Sequence, residues 1–351
     1  MMKFLPRTFN FGLLIGLAVA GVVAAVAITY ERYDTKTLKR TVKRDAVLCG
    51  VSTGIPGFSF KDDKGNWTGF DVDVCRAIAA AIFDDPSKVS FVPLDASNER
   101  FIELSKRKFD VLSRNSTWSM SRETDYELNF AAVSYYDGQG FMLRKARNIE
   151  SALELDGSKV CVQDGTTTKL NLADYFRANN MKYEEKKFAR AEDAVKAYVS
   201  GECDVFTSDA SQLYARRILL SKPDDHVILA DVISKEPLAP VVRQKDDDWL
   251  LIVKWTVYAM LNAEELGVTS KNIGEAMKST KPEVMRLVGT EGAYGEALGL
   301  TKDWAARIVR HVGNYGEVYD RNLGAGSKLA IPRGMNQLWS SGGIQYAPPI
   351  R

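Results

Sequence analysis

Two segments of the chain share one pattern of apolar and polar positions. Residues 98–115 and 192–209 each begin with the spacing of a short amphipathic helix, pass through a charged or glycine break, and continue into an apolar run built on Asp-Val. A helix followed by a buried strand, occurring twice, predicts two similar α/β lobes.

Polar residues follow each of the two repeated strands. They are Ser113, Arg114, Asn115, Ser116 and Thr117 after the first strand, and Thr207, Ser208 and Asp209 after the second. In open α/β sheets, ligands bind just beyond the carboxyl ends of the strands. The pattern therefore predicts a cleft between two lobes that closes on a small polar molecule.

The remaining pattern supplies the other elements of the two lobes. Strands are predicted at 46–52, 89–93, 157–163 and 227–230, and helices at 71–83, 170–178 and 249–261. Strand-like segments at 130–143 and 234–242 are interpreted as two crossings between the lobes. Residues 37–44 are interpreted as a polar lead-in, and 265–351 as short helices and glycine-rich loops. Asp71 lies where it can cap the helix that begins there.

The N-terminus has the pattern of an export signal. Lys3 and Arg7 precede an uncharged run at 11–28, in which a small-x-small site ends at Ala27. This pattern predicts a signal peptide over 1–27, cleaved after Ala27. An uncleaved inner-membrane anchor is the alternative, because the run approaches the ~18–20 apolar residues that span a bilayer. Either segment would place the rest of the chain in the periplasm.

The composition is that of an ordinary globular protein. The 351 residues suffice for two domains, and 45% are hydrophobic and 26% charged. Without Lys3 and Arg7, the 45 acidic residues are matched by 45 basic ones. A nucleic-acid-binding protein would need a basic excess, so nucleic acid is not an expected partner. With only His226 and His311 in the chain, no metal site and no histidine-based triad are expected.

The four cysteines suit an exported protein. Cys49 and Cys75 fall in the predicted first lobe, and Cys161 and Cys203 in the second. An even number of cysteines outside the cytosol favours disulfides, and four cysteines allow three pairings. The pairs Cys49–Cys75 and Cys161–Cys203 are favoured because each stays within one lobe. Small buried thiols are the alternative.

Six segments form an ordered set of motifs along the chain. They are VLCGVSTGIPGFSF, GNWTGFDVDVCRAIAAAIF, DVLSRNSTWSMSRETD, YYDGQGFM, VCVQDGTTTKLNLADYF and CDVFTSDAS. Together they resemble the polar-amino-acid family of periplasmic solute-binding proteins of ATP-binding-cassette (ABC) importers. They look closest to its general L-amino-acid-binding branch, which GNYGEVYDRNLGAGS and GGIQYAPPIR near the C-terminus also resemble. The resemblance covers roughly residues 35–351.

This resemblance implies a two-lobed, type II periplasmic binding protein-like α/β fold with two crossing strands. The first lobe would comprise 45–138 and 239–351, including a helical C-terminal extension, and the second lobe 139–238. The implied function is to bind L-amino acids with broad specificity between the lobes. The protein would deliver them to an ABC permease in the inner membrane, and a cytoplasmic ATPase would power this permease. No cofactor is implied, and a monomer is expected.

The resemblance also implies roles for two charged residues. Arg122 matches the family's arginine for the ligand α-carboxylate, and Asp209 matches the acid that pairs with the α-ammonium. Read from the residues alone, Arg122 would instead form a surface salt bridge with Glu123 or Asp125. Asp209 would instead cap the helix predicted at 210–217.

Four polar residues match other ligand positions of the family. Asn115 and Thr117 match positions that bind the carboxylate or the ammonium, and Thr166 and Thr167 match the carboxylate-binding loop before a helix. The two threonines of this loop could also cap the helix, and capping is compatible with ligand contact.

Aromatic residues that could surround a ligand side chain are harder to assign. Phe58 and Trp118 are candidate pocket walls, with core packing as the alternative. Many family members carry an aromatic residue in the first strand–helix loop, where this chain has Ile55. An aromatic lid would therefore require Phe58 or Trp67 to replace it.

Two other classes of function compete with that of a receptor. Some relatives on the same fold are dehydratases acting on prephenate-like acids, and such an exported enzyme would need a general acid or base facing its substrate. Asp209 is the only candidate in the predicted cleft, and an ammonium would occupy it. A sensor lobe tethered by an uncleaved anchor is the third class, although no signalling domain is present in the sequence. We therefore expect a non-catalytic receptor.

Overall fold

The computed structural model describes residues 37–95 and 98–351. The predicted signal peptide or anchor at 1–27 lies outside the described residues. Within the described ranges, no helix has the length and apolar character needed to cross a membrane.

The chain first builds most of one sheet with its helices. These elements are α1 (Thr37–Arg44), β1 (Val47–Ser52), β2 (Phe60–Lys61), β3 (Trp67–Thr68), α2 (Phe70–Phe83), β4 (Val89–Leu94), α3 (Glu99–Ser105), β5 (Val111–Leu112), α4 (Met120–Tyr126) and β6 (Leu128–Phe130). The strands β4 and β5 run parallel to β1 on either side of it. This sheet is the centre of the first lobe.

The chain then crosses, builds a second sheet and returns. These elements are β7 (Tyr135–Asp137), β8 (Gln139–Arg144), β9 (Ser158–Gln163), α5 (Thr167–Ala178), β10 (Tyr183–Phe188), α6 (Ala191–Ser200), β11 (Val205–Asp209), α7 (Ala210–Arg217), β12 (His226–Ile228) and β13 (Glu236–Leu238). The second sheet has the order β10-β9-β11-β8-β12 and is the centre of the second lobe. The crossing strands β7 and β13 pair with each other in antiparallel register, which confirms the two predicted crossings.

The last part of the chain returns to the first lobe. It forms β14 (Val241–Arg243), α8 (Asp247–Glu265), α9 (Ile273–Ala276), α10 (Pro282–Val288), α11 (Tyr294–Ala297), α12 (Trp304–His311) and α13 (Tyr315–Asn322). Strand β14 completes the first sheet in the order β4-β1-β5-β14-β6. Helix α2 is apolar on nearly all sides because it packs between this sheet and α8, α12 and α13.

Two elements differ from the pattern-based prediction. Helix α1 was predicted as an irregular lead-in because it lacks an apolar stripe. It is instead anchored by the buried Thr37, whose hydroxyl donates to Asp246 Oδ2 at 2.6 Å. Strand β10 has the sequence YEEKKF and was not predicted. It is an edge strand, and charged side chains are common on edges exposed to water.

Both favoured disulfides are confirmed. Cys49 of β1 is bonded to Cys75 of α2, with 6.2 Å between their Cα atoms. Cys161 of β9 is bonded to Cys203, with 5.7 Å between their Cα atoms. Each bond joins a strand to another part of its own lobe, so neither links the two lobes.

The C-terminal extension holds the first crossing strand by its backbone. The buried Asn336 side chain accepts a hydrogen bond from the Tyr136 N–H at 2.7 Å and donates to the Tyr136 carbonyl at 3.0 Å. The Tyr315 hydroxyl donates to the carbonyl of Ser134 at 2.9 Å. Strand β7 is therefore attached to the first lobe through side chains from the end of the chain.

Candidate functional site

A small cavity lies between the two lobes at the carboxyl ends of β5 and β11. Residues of the first lobe that line it are Arg100, Arg114, Asn115, Thr117 and Arg122. Residues of the second lobe that line it are Gln163, Thr166, Thr167, Thr168, Ala191, Phe206, Thr207, Ser208, Asp209 and Gln212. All six residues predicted to bind ligand thus line one cavity, and each lobe contributes to it.

Arg122 lies in α4 and is only 7% exposed. Its Nη1 donates to the Thr117 carbonyl at 2.7 Å, which fixes the guanidinium against the loop that follows β5. Its burial and its bond to Thr117 contradict a surface salt bridge with Glu123 or Asp125. Burial lowers the pKa of Arg122, while Glu236 and Asp209 act to raise it. The wall from the first lobe therefore presents a buried cation.

Asp209 is the last residue of β11 and is only 4% exposed. It occupies the cap position of α7, but its side chain makes no capping hydrogen bond. Its Oδ2 instead accepts from the Gln212 amide at 3.0 Å. Burial, followed by repulsion from the Asp137 and Glu236 carboxylates, raises the pKa of Asp209 well above its ordinary value. A cation bound beside this carboxylate would relieve that repulsion.

The loop after β5 is shaped by a carboxylate from a neighbouring helix. The Asn115 N–H donates to Asp71 Oδ2 at 2.9 Å, and the Ser113 hydroxyl donates to Asp71 Oδ1 at 3.2 Å. Asn115 has a φ of 31°, outside the usual right-handed and extended regions. Burial is the main cause that raises the pKa of Asp71 to about 7. Asp71 makes no capping bond, because Gly69 occupies the cap position of α2. It positions the site loop instead.

Asn115 retains an unused donor in this buried setting. Its Nδ2 has no hydrogen-bond partner among the described residues, although the residue is buried and lines the cavity. Leaving a buried donor unsatisfied costs about 1–3 kcal/mol. A ligand oxygen in the cavity would satisfy it.

Glu236 is a residue of the site that sequence reasoning missed. It is 1% exposed and lies on the crossing strand β13. It accepts hydrogen bonds from the Thr117 hydroxyl of the first lobe, and from the Thr167 hydroxyl at 3.1 Å and the Asn171 amide at 2.6 Å in the second. One carboxylate therefore joins both lobes to the crossing segment. A glutamate in the crossing segment SKEPLAPVV, directly before its apolar run, was the available signal.

The loop before α5 contributes its two threonines differently. The Thr166 hydroxyl donates to the Gln163 carbonyl at 2.8 Å, although Thr166 occupies the cap position of the helix without a capping side-chain bond. Thr167 donates to Glu236, as described above. The capping interpretation is therefore wrong for Thr166, whereas both residues remain at the cavity wall.

The two candidate aromatic walls lie away from this cavity. Phe58 is 1% exposed and packs edge-on against Phe70 and Tyr135 in the first-lobe core. Trp118 stacks on Phe130 with 5.6 Å between ring centroids and does not line the cavity. Among the described residues that line it, Phe206 is the one aromatic. The aromatic residue at this cavity is therefore Phe206 of β11 in the second lobe, and not a residue of the first lobe.

The sequence of this chain is similar to those of known proteins. Residues 47–274 match the model of the bacterial extracellular solute-binding proteins, family 3. The chain is 52% identical over 339 residues to the general L-amino acid-binding periplasmic protein AapJ of Rhizobium johnstonii, covering 96% of this chain and 97% of that one. It is 47% identical to the glutamate/glutamine/aspartate/asparagine-binding protein BztA of Rhodobacter capsulatus, covering 95% and 99%.

A solved structure is similar over most of the chain. It is an ABC transporter periplasmic binding protein from Brucella ovis with glutathione bound, with a TM-score of 0.88 and 52% identity. The match covers 90% of this chain and 100% of that one. The two-lobed fold is therefore shared with a periplasmic binding protein.

Proposed function

This chain belongs to family 3 of the bacterial extracellular solute-binding proteins, and on that premise we propose that it binds L-amino acids in the periplasm for an ABC importer. It is a binding protein and not an enzyme, as the names of its close relatives describe. The relatives differ in breadth, since one is named as general and the other for four amino acids.

The observation that carries this proposal is the pair of opposite charges on facing walls. A free amino acid has a carboxylate and an ammonium on one carbon. Arg122 offers a planar donor fork that suits a carboxylate, and Asp209 offers the acceptor that an ammonium requires. Asn115, Thr117, Thr166 and Thr167 supply polar contacts around them. The ligand would bridge the lobes, and this bridging would favour the closed form.

The dehydratase alternative is not favoured. Asp209 is the one carboxylate among the described residues that line the cavity. The ammonium would lie beside Asp209, and the nearby Glu236 already accepts hydrogen bonds from four side chains, so neither carboxylate is available for proton transfer to a substrate. The named relatives are binding proteins, which agrees with a receptor.

The partners follow from the same proposal. The closed, loaded protein would deliver its ligand to a permease in the inner membrane, and a cytoplasmic ATPase would drive release. We propose that it acts as a monomer, without nucleic acid or a cofactor. We also propose the division into 45–138 with 239–351 and 139–238, which the membership of the two sheets supports; α1 packs with the first part.

Calorimetric titration tests the function directly. The protein is purified from the periplasm, unfolded and refolded to remove any bound ligand, and titrated with each of the twenty L-amino acids. Binding of several unlike amino acids would support broad recognition through the α-carbon groups. Absence of binding by all twenty to the refolded protein would overturn the proposal.

Replacing Glu236 with glutamine is expected to weaken the binding of all amino acids to a similar extent. Four side chains, those of Thr117, Thr167, Asn171 and Ser234, donate to the carboxylate, two to each oxygen. The amide replaces one of these oxygens with a donor, so a buried clash of donors replaces hydrogen bonds. A loss of about 1–3 kcal/mol corresponds to roughly 5- to 150-fold in dissociation constant. Titration calorimetry measures the affinity, and small-angle scattering measures closure. Unchanged affinity and closure would contradict this role.

Affinity is expected to fall as the pH is lowered through the raised pKa of Asp209. Because the pKa of Asp209 is raised in the ligand-free protein, the carboxyl group takes up a proton above its ordinary range. The ammonium binds the ionised form, so binding at lower pH must release that proton. The affinity then falls by up to about tenfold per pH unit for one proton. Titrations in buffers of different ionisation enthalpy count the protons, and zero proton release would contradict the prediction.

A further inference from the structure

Helix α7 begins without a cap from the residue that precedes it. Asp209 occupies the cap position, but its side chain makes no capping hydrogen bond. The first two N–H groups of the helix donate instead to β7 and the residue that follows it. The Ala210 N–H donates to the Gly138 carbonyl at 2.7 Å. The Ser211 N–H donates to Asp137 Oδ1 at 3.3 Å. The start of α7 is therefore satisfied by residues far away in sequence.

The carboxylate of Asp137 is buried and held at the start of α7. The residue is 7% exposed, and the Ser211 hydroxyl donates to its Oδ2. The Gly138 N–H donates to its Oδ1 at 2.8 Å, which fixes the side chain against its own backbone. Asp137 thus accepts from both the N–H and the hydroxyl of Ser211, and 74 positions separate the two residues in the sequence. It caps α7 from the crossing strand.

This cap leaves the carboxylate of Asp209 at the cavity. An aspartate at the cap position ordinarily accepts a hydrogen bond from the second or third N–H of the helix. In α7 the second N–H belongs to Ser211, and Asp137 already accepts from it. Asp209 instead contacts the side-chain amide of Gln212 and lines the cavity wall. Without the cap from Asp137, the Ser211 N–H would attract the Asp209 carboxylate away from the ligand.

Asp137 also acts on Asp209 through its charge. Among the described residues, the ionisable groups that face Asp137 are Asp209 of β11, Glu236 of β13, Tyr135 of β7 and Tyr319 of α13. After burial, repulsion from Asp137 is the largest cause that raises the pKa of Asp209. Removal of this charge favours ionised Asp209 and tighter binding of an ammonium, whereas removal of the cap has the opposite effect. A test must therefore separate the cap from the charge.

We propose that Asp137 is a positioning residue for the ammonium site, because its cap on α7 keeps the carboxylate of Asp209 available to the ligand. This inference rests on the proposed function and adds a residue that does not line the cavity. The crossing strand β7 thereby contributes to recognition through Asp209 of the second lobe.

Two variants of Asp137 separate the cap from the charge. Asp137→Asn and Asp137→Ala both remove the charge, but only asparagine keeps an oxygen that can cap a helix. The refolded full chain of each variant is titrated calorimetrically with L-glutamate and with glutarate, which has no ammonium. Loss of a helix cap corresponds to roughly 2- to 30-fold in an equilibrium constant, so glutamate is expected to bind that much more weakly to the alanine variant than to the asparagine variant. Glutarate is expected to bind both variants equally.

Asp231 provides a matched control in the second lobe. Its carboxylate also accepts from a distant segment, from the Ser151 hydroxyl at 3.2 Å and the Ala152 N–H at 3.1 Å, and it does not line the cavity. Asp231→Ala and Asp231→Asn are expected to bind glutamate with the affinity of the unmodified protein. The melting temperature of each ligand-free variant shows whether it is folded.

The comparison of Asp137→Ala with Asp137→Asn decides the proposal. Equal affinities of the two variants for glutamate would overturn it, as would equal losses of glutamate and glutarate in the alanine variant. If Asp137→Ala does not fold, Asp137→Leu fills the same space without a capping oxygen and is compared with Asp137→Asn in the same way. Failure of the unmodified protein to bind any amino acid would instead overturn the proposed function.

Discussion

Replacing Arg122 with alanine is expected to weaken the binding of every amino acid strongly, and at the upper end of the range beyond detection, whatever the side chain of the ligand. All amino acids share the α-carboxylate, and this change would leave that group buried without its cation. Truncating one partner of a buried, hydrogen-bonded charge pair costs about 2–5 kcal/mol, so the affinity should fall at least about 30-fold and up to several thousand-fold. Calorimetric titration with glutamate, alanine and leucine gives the three losses.

The control for Arg122 keeps the charge and changes only the geometry. Arg122→Lys retains a cation but not the planar fork, so an intermediate affinity is expected. The melting temperature of the ligand-free protein shows whether either variant is folded. An Arg122→Ala protein that binds amino acids at wild-type affinity would remove Arg122 from the site.

Replacing Asp209 with asparagine is expected to discriminate between ligands with and without an ammonium. The variant keeps the shape of the side chain and its contact with Gln212, but it removes the negative charge beside the ammonium. Binding of glutamate should fall by roughly 30-fold or more. Binding of glutarate, which has no ammonium, should stay the same or improve, because repulsion from the carboxylate is also removed.

The ratio of the two ligands is the decisive quantity. Equal losses for glutamate and glutarate would remove Asp209 from the ammonium site. Asp137→Asn is expected to shift the ratio in the opposite direction, because Asp137 repels Asp209, bonds to Ser211 and does not line the cavity. Removing this repulsion lowers the pKa of Asp209 and favours the ionised form that binds the ammonium.

Local pattern was sufficient to predict most of the fold. The repeated helices and strands α3–β5 and α6–β11 are short and strongly patterned, and their neighbours in sequence are also their neighbours in space. Helix α1 and strand β10 were missed because long-range contacts, and not apolar periodicity, stabilise them. The hydroxyl of Thr37 reaches Asp246 across more than half of the chain, and no local pattern reveals such a contact.

The candidate site was predictable for residues in motifs that follow strands. It was not predictable for residues whose contacts are far away in sequence. Arg122 lies near the start of α4 and Asp209 at the end of β11, and the family motifs contain both segments. Asp71 was wrongly predicted to cap a helix, and Glu236 was missed. The roles of both are set by residues far away in sequence, Asn115 for Asp71 and Thr117 for Glu236. For Phe58 the sequence left a pocket wall and core packing as alternatives, because a buried aromatic ring after a turn fits both. The side chain's surroundings decide between them, and Phe58 packs in the core.

The hydrogen bonds between the C-terminal extension and Tyr136 restrict where the crossing strand β7 can bend. Two hydrogen bonds from Asn336 hold both backbone groups of Tyr136, so rotation at that residue would break them. If the second lobe rotates, we expect the bending to occur after Tyr136, at Asp137 and Gly138, and at Glu236, which pairs with Asp137 in β13. The C-terminal extension would thus determine where the crossing strands can bend. The expected bending point includes Glu236, whose carboxylate accepts hydrogen bonds from both lobes.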